Sequence, residues 1–317
     1  MSNIKEYFSG KSGSAFYIIC IGKKFQKIFK KTTLPFYLNY CKKYDIGLVV
    51  VENFIDQNFK QYPLYRDYPA YQRLLAPSEI KKKYPKYKIL CDIDADCIPG
   101  FLSRNIFSFS KNIRNNEIYV ITPYPVSKTE LGKRLSLLRK TYVDSKYPLN
   151  SMILASDPEE MKFYGYKYRG TVPTIGTCMG TTKTLAETGK QYYKEILKDK
   201  KFKYLQNYRI NQYSKKYKIR WLPYEFQAIW NFEMSLHYPF LFNKKYKNFF
   251  NDCVMAVLHR VDFLHFAGSW PENNSFFKTT FKNKGSMSKY YKNLGKYIKS
   301  KIKVRSYGKI NYKKNIN

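Results

Sequence analysis

The chain has 317 residues, a formal net charge of +35, 44% hydrophobic and 18% aromatic residues. That composition supplies a large core, and the length suits two average domains or one large α/β domain with a tail. No uninterrupted apolar stretch approaches the roughly 18 to 20 residues that cross a bilayer.

The six cysteines are scattered, with no CxxC pair, which predicts a reducing, cytoplasmic setting and not a disulfide framework. The opening MSNIKEYFSGKSGS has no apolar h-region, so no signal peptide is expected. Lys, Tyr, Asn, Ile and Phe dominate, as AT-rich codons also produce. The positive charge therefore has two readings, a solvated surface and attraction to phosphate.

In chain order, residues 15–21 (AFYIICI) read as a buried strand broken by Gly22. Residues 25–44 carry apolar positions at helical spacing, with Pro35 splitting the segment or opening its main helix. Residues 46–51 (IGLVVV) are a second buried strand. Strand, helix, strand is a βαβ unit and predicts a parallel sheet. A Tyr- and Pro-rich loop at 62–69 leads to a helix over 70–84 containing Arg73 and ended by Pro85. Residues 86–92 form the third strand and 118–122 a fourth. Helical periodicity recurs at 129–142, 185–197 and 202–217. Short strands are expected at 176–182, 219–222 and 263–266. After Glu272 no acidic residue occurs, while Lys and Arg recur to Asn317. That divides the chain into a main domain, 1–275, and a basic extension, 276–317.

The third strand ends as KILCDIDADCIP, residues 88–99. A buried strand whose C-terminal end opens into Asp92, Asp94 and Asp96 is where an open α/β sheet places ligands. In so basic a chain, three acids in five residues point to a cation. Residues i and i+2 of an extended segment point the same way. An Asp-x-Asp unit thus sends two carboxylates toward one Mg2+ or Mn2+ ion, and Mn2+ also accepts imidazole.

Asp94-Ala95-Asp96, behind an apolar strand and before Ile98 and Pro99, resembles the Asp-x-Asp signature of GT-A-fold glycosyltransferases; Asp92-Ile93-Asp94 fits less well. The βαβ start at 15–51 resembles the nucleotide-binding half of such enzymes. HFAG at 265–268 resembles the His-x-x-Gly element of glycogenin-like and bacterial lipopolysaccharide sugar transferases, although Ser269-Trp270-Pro271 replaces the usual Lys-Pro-Trp. The resemblance implies a GT-A-like (Rossmann-like) α/β fold with a mostly parallel central sheet flanked by helices. It also implies transfer of a sugar from a nucleoside-diphosphate donor, with a UDP-sugar expected, to a hydroxyl of a glycan or polysaccharide. Asp94, Asp96 and His265 would hold the ion, and Arg73 would contact the diphosphate. Cys20, Ile21, Gly22, Asn53, Asp92, Ala95 and Gly268 would line the donor site. The segments 175–180 and 202–212 resemble elements that flank the donor sugar in that family, without its Asn and acidic residues. An inverting enzyme needs a carboxylate base for the acceptor. None of Glu225, Glu233, Asp252, Asp262 and Glu272 is singled out by a motif, which leans toward retention.

Two rivals use the same acids. A haloacid-dehalogenase phosphatase has Thr or Val where Asp96 stands, places its strand first and needs a later Gly-Asp-x-x-x-Asp element, which is absent. A nuclease or nucleic-acid-binding protein suits the charge and aromatics, but no recognition motif accompanies them. The basic extension reads either as a peripheral contact with an anionic membrane or as a solvated tail.

Overall fold

A computed structural model of the chain describes residues 3–58, 69–121, 177–198 and 216–266, with the single positions 158, 162, 167 and 168. The expected helix at 129–142, most of that at 202–217, Gly268 and the basic extension lie outside the described residues.

The central element is a seven-stranded sheet in the order β1-β3-β2-β4-β7-β6-β8. Its strands are β1 (Ile4–Phe8), β2 (Ser14–Ile19), β3 (Gly47–Val51) and β4 (Ile89–Asp92), then β6 (Glu117–Ile121), β7 (Cys178–Thr181) and β8 (Lys218–Leu222). β2, β3, β4, β6 and β8 run one way; β1 and β7 run against them. A second sheet orders β5 (Cys97–Pro99), β10 (Phe263–His265) and β9 (Ala228–Ile229). The fold is α/β, as expected, with a central sheet flanked by helices; five of its seven strands run one way and the sheet is mixed.

The runs read as continuous because both faces of the sheet are covered. From β2, Ala15 and Tyr17 enter one core with Val49, Leu90, Leu74 and Ile80, while Phe16 and Ile18 enter another with Val50, Cys91, Phe29 and Tyr37. The first core lies under α3 (Ala76–Lys83) and α4 (Thr182–Lys198), the second under α1 (Lys23–Lys31) and α2 (Leu34–Tyr44). Each fully buried ring or aliphatic chain contributes about 1.5–3 kcal/mol. All six cysteines are free and buried, packing as small apolar groups.

Pro35 opens α2 in its first turn, where its missing N–H is no loss. The helix expected over 70–84 is instead two pieces: a 3-10 segment, Pro69–Leu74, and then α3. Pro77 sits in the first turn of α3, and its ring cannot follow a continuous helix. Arg73 therefore comes from the tight segment and not from an α-helix. Two further helices, α5 (Trp230–His237) and α6 (Phe250–Arg260), lie between β9 and β10. Among the described residues no helix is long and apolar enough to cross a membrane.

Candidate metal centre

The parallel strands β2, β3 and β4 end at one edge of the sheet. The edge of β4 is continued by a turn in which the Cys97 N–H donates to the Asp94 carbonyl at 3.1 Å. β5 follows at once and pairs antiparallel with β10, setting Cys97 opposite His265. The Phe266 N–H donates to the Asp96 carbonyl at 3.1 Å. A histidine far along the chain is thereby fastened beside the acidic turn.

Asp94, Asp96 and His265 form a group that could hold a metal ion, with one ligand atom from each within 4.8 Å of the others. His265 Nε2 lies 3.4 Å from Asp94 Oδ2 and 3.3 Å from Asp96 Oδ1. Neighbouring ligands of an octahedral ion with bonds near 2.1 Å are roughly 3 Å apart, and the two separations from His265 Nε2 are close to that spacing. Two carboxylate oxygens and one imidazole nitrogen suit Mn2+ well and Mg2+ less closely. Burial opposes a charge on His265, but the Asp96 and Asp94 carboxylates outweigh it and hold the ring's pKa above its ordinary value.

Arg73 completes the electrostatics from beneath. The residue is buried, 4% exposed. Nη2 donates to Asp94 Oδ1 at 2.5 Å, Nε donates to the Ala70 carbonyl at 3.2 Å, and Nε lies 3.7 Å from Asp92 Oδ2. Burial works against the guanidinium charge, and Asp92 and Asp94 more than offset it. With Oδ1 of Asp94 engaged by Arg73, Oδ2 is the oxygen turned toward His265. Asp92, the last residue of β4, is fully buried and faces Arg73.

The other expected site residues stand at the same edge with different surroundings. Cys20 follows β2 and its N–H donates to the Val51 carbonyl at 2.9 Å. Burial pushes its thiol up to about 12, which makes it a packing residue. Ile21 packs against the first core, and Gly22, at φ +102, turns the chain into α1. Asn53 is exposed just past β3, in a loop whose Ile55 and Asp56 N–H groups donate to the buried Gln72 side chain at 2.8 and 2.9 Å. Ala95, between the two aspartates, is buried.

Two late acids are committed elsewhere. Glu233 is buried against Arg260, and Asp262 is bound by the Arg104 guanidinium and accepts the Arg104 backbone N–H at 2.6 Å. One further residue stands behind the site: the Gln227 side-chain amide lies 3.0 Å from His265 Nδ1. Nothing in the sequence around Gln227 marks it, since the contact exists only through the pairing of β9 with β10.

No protein-family profile matches the chain, and no curated protein sequence matches it significantly. Among solved structures, a glycosyltransferase involved in the glycosylation of the major capsid of PBCV-1 is similar over 83% of this chain and 98% of its own. The identity is 11% and the TM-score 0.47. The bifunctional glycosyltransferase WbbM is similar over 90% of this chain and 52% of its own, at 12% identity and a TM-score of 0.49. Both are glycosyltransferases; likeness at this level fixes neither a substrate nor the role of any residue.

Proposed function

We propose that this protein is a metal-dependent glycosyltransferase that moves a sugar from a nucleoside-diphosphate donor, with UDP as the expected nucleotide, to a hydroxyl of a glycan or polysaccharide. The observation that carries the reading is the convergence of Asp94, Asp96 and His265 at the C-terminal end of β4. A ligand-binding edge of an α/β sheet thus presents a divalent-cation donor set. Asp94, Asp96 and His265 would hold Mn2+ or Mg2+, whose contribution is Lewis-acid neutralisation of the charge developing on the departing nucleoside diphosphate.

The chain's own groups do the remainder. Arg73 pairs with Asp94, lies beside Asp92 and fixes which oxygen of Asp94 faces the site; contact with the donor diphosphate is a further role proposed for it. The ends of β2 and β3, at residues 20–22 and 52–54, line the nucleotide side. A retaining outcome is favoured because Glu233 and Asp262 already serve Arg260 and Arg104, and retention requires no acceptor-side base.

The test is a thermal-shift panel of UDP-, GDP-, CMP- and TDP-sugars with and without Mn2+. Stabilisation by one nucleotide sugar that requires Mn2+ is expected. Stabilisation by DNA or RNA that fades steeply with salt, with no response to any nucleotide sugar, would replace this reading with nucleic-acid binding.

A further inference from the structure

The contact between Gln227 and His265 has a chemical consequence. The Gln227 side chain is 1% exposed and the His265 residue 5%, so this contact is sealed from solvent. The amide nitrogen of Gln227 lies 3.0 Å from His265 Nδ1. With the ring neutral and the amide N–H turned to Nδ1, that nitrogen is the acceptor and the ring proton sits on Nε2, facing Asp94 and Asp96; the roles of the two atoms in this contact follow the tautomer. That state is self-consistent without an ion, because an Nε2–H group meets two carboxylate oxygens at 3.4 and 3.3 Å.

An ion at the same place needs the opposite arrangement. A metal takes the lone pair of Nε2, so the remaining ring proton must sit on Nδ1 and requires an acceptor. A half-turn of the Gln227 carboxamide exchanges its N–H2 for its oxygen at unchanged heavy-atom positions. We propose that Gln227 is a positioning residue that sets the tautomer of His265: its N–H donates to Nδ1 of the neutral ring in the metal-free protein, and its carbonyl oxygen accepts from Nδ1–H when the ring is protonated or an ion is bound. This rests on the metal reading of Asp94, Asp96 and His265, and extends it to a residue that touches neither ion nor substrate. Histidine ligands commonly donate their second ring N–H to such a partner, and loss of that partner costs about 10- to 100-fold in metal affinity.

The experiment compares full-length wild type, Gln227→Met and Gln227→Glu by calorimetric titration with Mn2+. Methionine keeps the length and offers only a weak thioether acceptor to Nδ1–H; an ionised glutamate accepts permanently. The expected result is at least a tenfold weaker Mn2+ affinity for Gln227→Met and no weakening for Gln227→Glu. In parallel, 15N-histidine NMR with Zn2+ as the diamagnetic ion reads the tautomer directly. The chain has only three histidines, so replacing His237 and His259 assigns the signal of His265. Metal-loaded wild type should carry its proton on Nδ1, and metal-free wild type, at a pH where the ring is neutral, should carry it on Nε2; the metal-free measurement reads the Gln227 contact if Gln227→Met does not fold. A metal-free neutral ring protonated on Nδ1, a weakening below tenfold in Gln227→Met, or equal weakening in both variants would overturn the role of Gln227 while leaving the metal site standing; a proton on Nε2 in the loaded protein would take His265 out of the coordination. Absence of Mn2+ binding to wild type would instead remove the metal reading itself.

Discussion

Arg73→Met tests whether the guanidinium is the counter-charge that lets β4 end in buried carboxylates. Methionine keeps most of the apolar stem and removes the charge. Asp92, fully buried, then loses the group 3.7 Å away, and Asp94 loses a contact of 2.5 Å. Removing one partner of a buried pair typically costs about 3–5 kcal/mol. A second route gives a similar figure. Without Arg73, Asp92 escapes the penalty by taking a proton. Holding a carboxyl protonated at pH 7 costs about 1.36 kcal/mol for each unit between 7 and its ordinary pKa near 3.9, or about 4 kcal/mol. Protonation thus caps the loss and makes it depend on pH: large at pH 7 and shrinking toward about pH 4, where the unfolded chain is protonated too. Urea unfolding followed by circular dichroism at several pH values measures it, and Asp92→Asn in the Arg73→Met background should recover most of the loss at pH 7. A loss under about 1 kcal/mol at pH 7, or one that is the same at pH 4, would refute the assignment of Arg73 as the buried counter-charge.

Asp94→Ala and Asp96→Ala should each abolish metal-dependent hydrolysis of the donor while circular dichroism stays that of the folded protein; full activity in either variant would remove that residue from the metal set. Gly189→Ala should lower Tm and weaken Mn2+ binding. A Cβ on this residue of α4 would meet the Leu74 carbonyl oxygen at 2.0 Å, one residue from Arg73. The overpacking, about 1–3 kcal/mol, outweighs a helix-propensity gain of at most about 1 kcal/mol, and an unchanged or higher Tm would contradict it. The pH dependence follows from His265, whose folded pKa lies above its ordinary 6.5. Its protonated form therefore stabilises the metal-free protein fully below about pH 6.5, and that contribution is lost as pH rises through the folded value. An ion needs the unprotonated ring, so the gap between Tm with and without Mn2+ should widen as pH rises. A gap constant from about pH 5 to 9 would take His265 out of the coordination.

The parts of the fold that could be read from the sequence are those whose burial is two-sided. AFYIICI, IGLVVV and KILCD are continuous apolar runs because α1 and α2 cover one face and α3 and α4 the other. β1 is different. Its sequence IKEYF carries Lys5 and Glu6, and only Ile4 is fully buried, as suits an edge strand that avoids further pairing. β5 and β9 have three and two residues and exist only because β10 lies between them. The Asp-x-Asp pair and His265 were legible because their residue types are rare in this chain and stand at strand ends. Asp262 and Glu233 looked no different from other late acids; their ion pairs with Arg104 and Arg260 are long-range. Gln227 had no sequence signal, since its significance lies in one side-chain contact across two paired strands.

A protein with a net charge of +35 is an unpromising host for a divalent cation, and the geometry of the site resolves the conflict. Three carboxylates face one guanidinium and one titratable imidazole at Asp92, Asp94, Asp96, Arg73 and His265. With the imidazole neutral, this group is locally negative. Charges elsewhere on the surface are screened beyond about 8–10 Å at physiological salt, while the groups of the site act at hydrogen-bond range in a poorly hydrated setting. The local deficit of positive charge therefore governs, provided the ligands keep their separation. That is the task of the segment after β5. The Asp262 carbonyl accepts from the Gly100 N–H at 2.8 Å and from Ser103 Oγ at 2.6 Å, and the Asp262 N–H donates to the Glu225 carbonyl at 2.9 Å. Strands as short as β5, β9 and β10 do not persist alone. Tied by Asp262 to the chain that has just left Asp96, and packed through Phe263 on Phe16 of β2 with ring centroids 5.9 Å apart, they become a fixed bracket. His265 is thus referenced to the acidic turn directly, and an ion bound there would tie the end of β4 to β10.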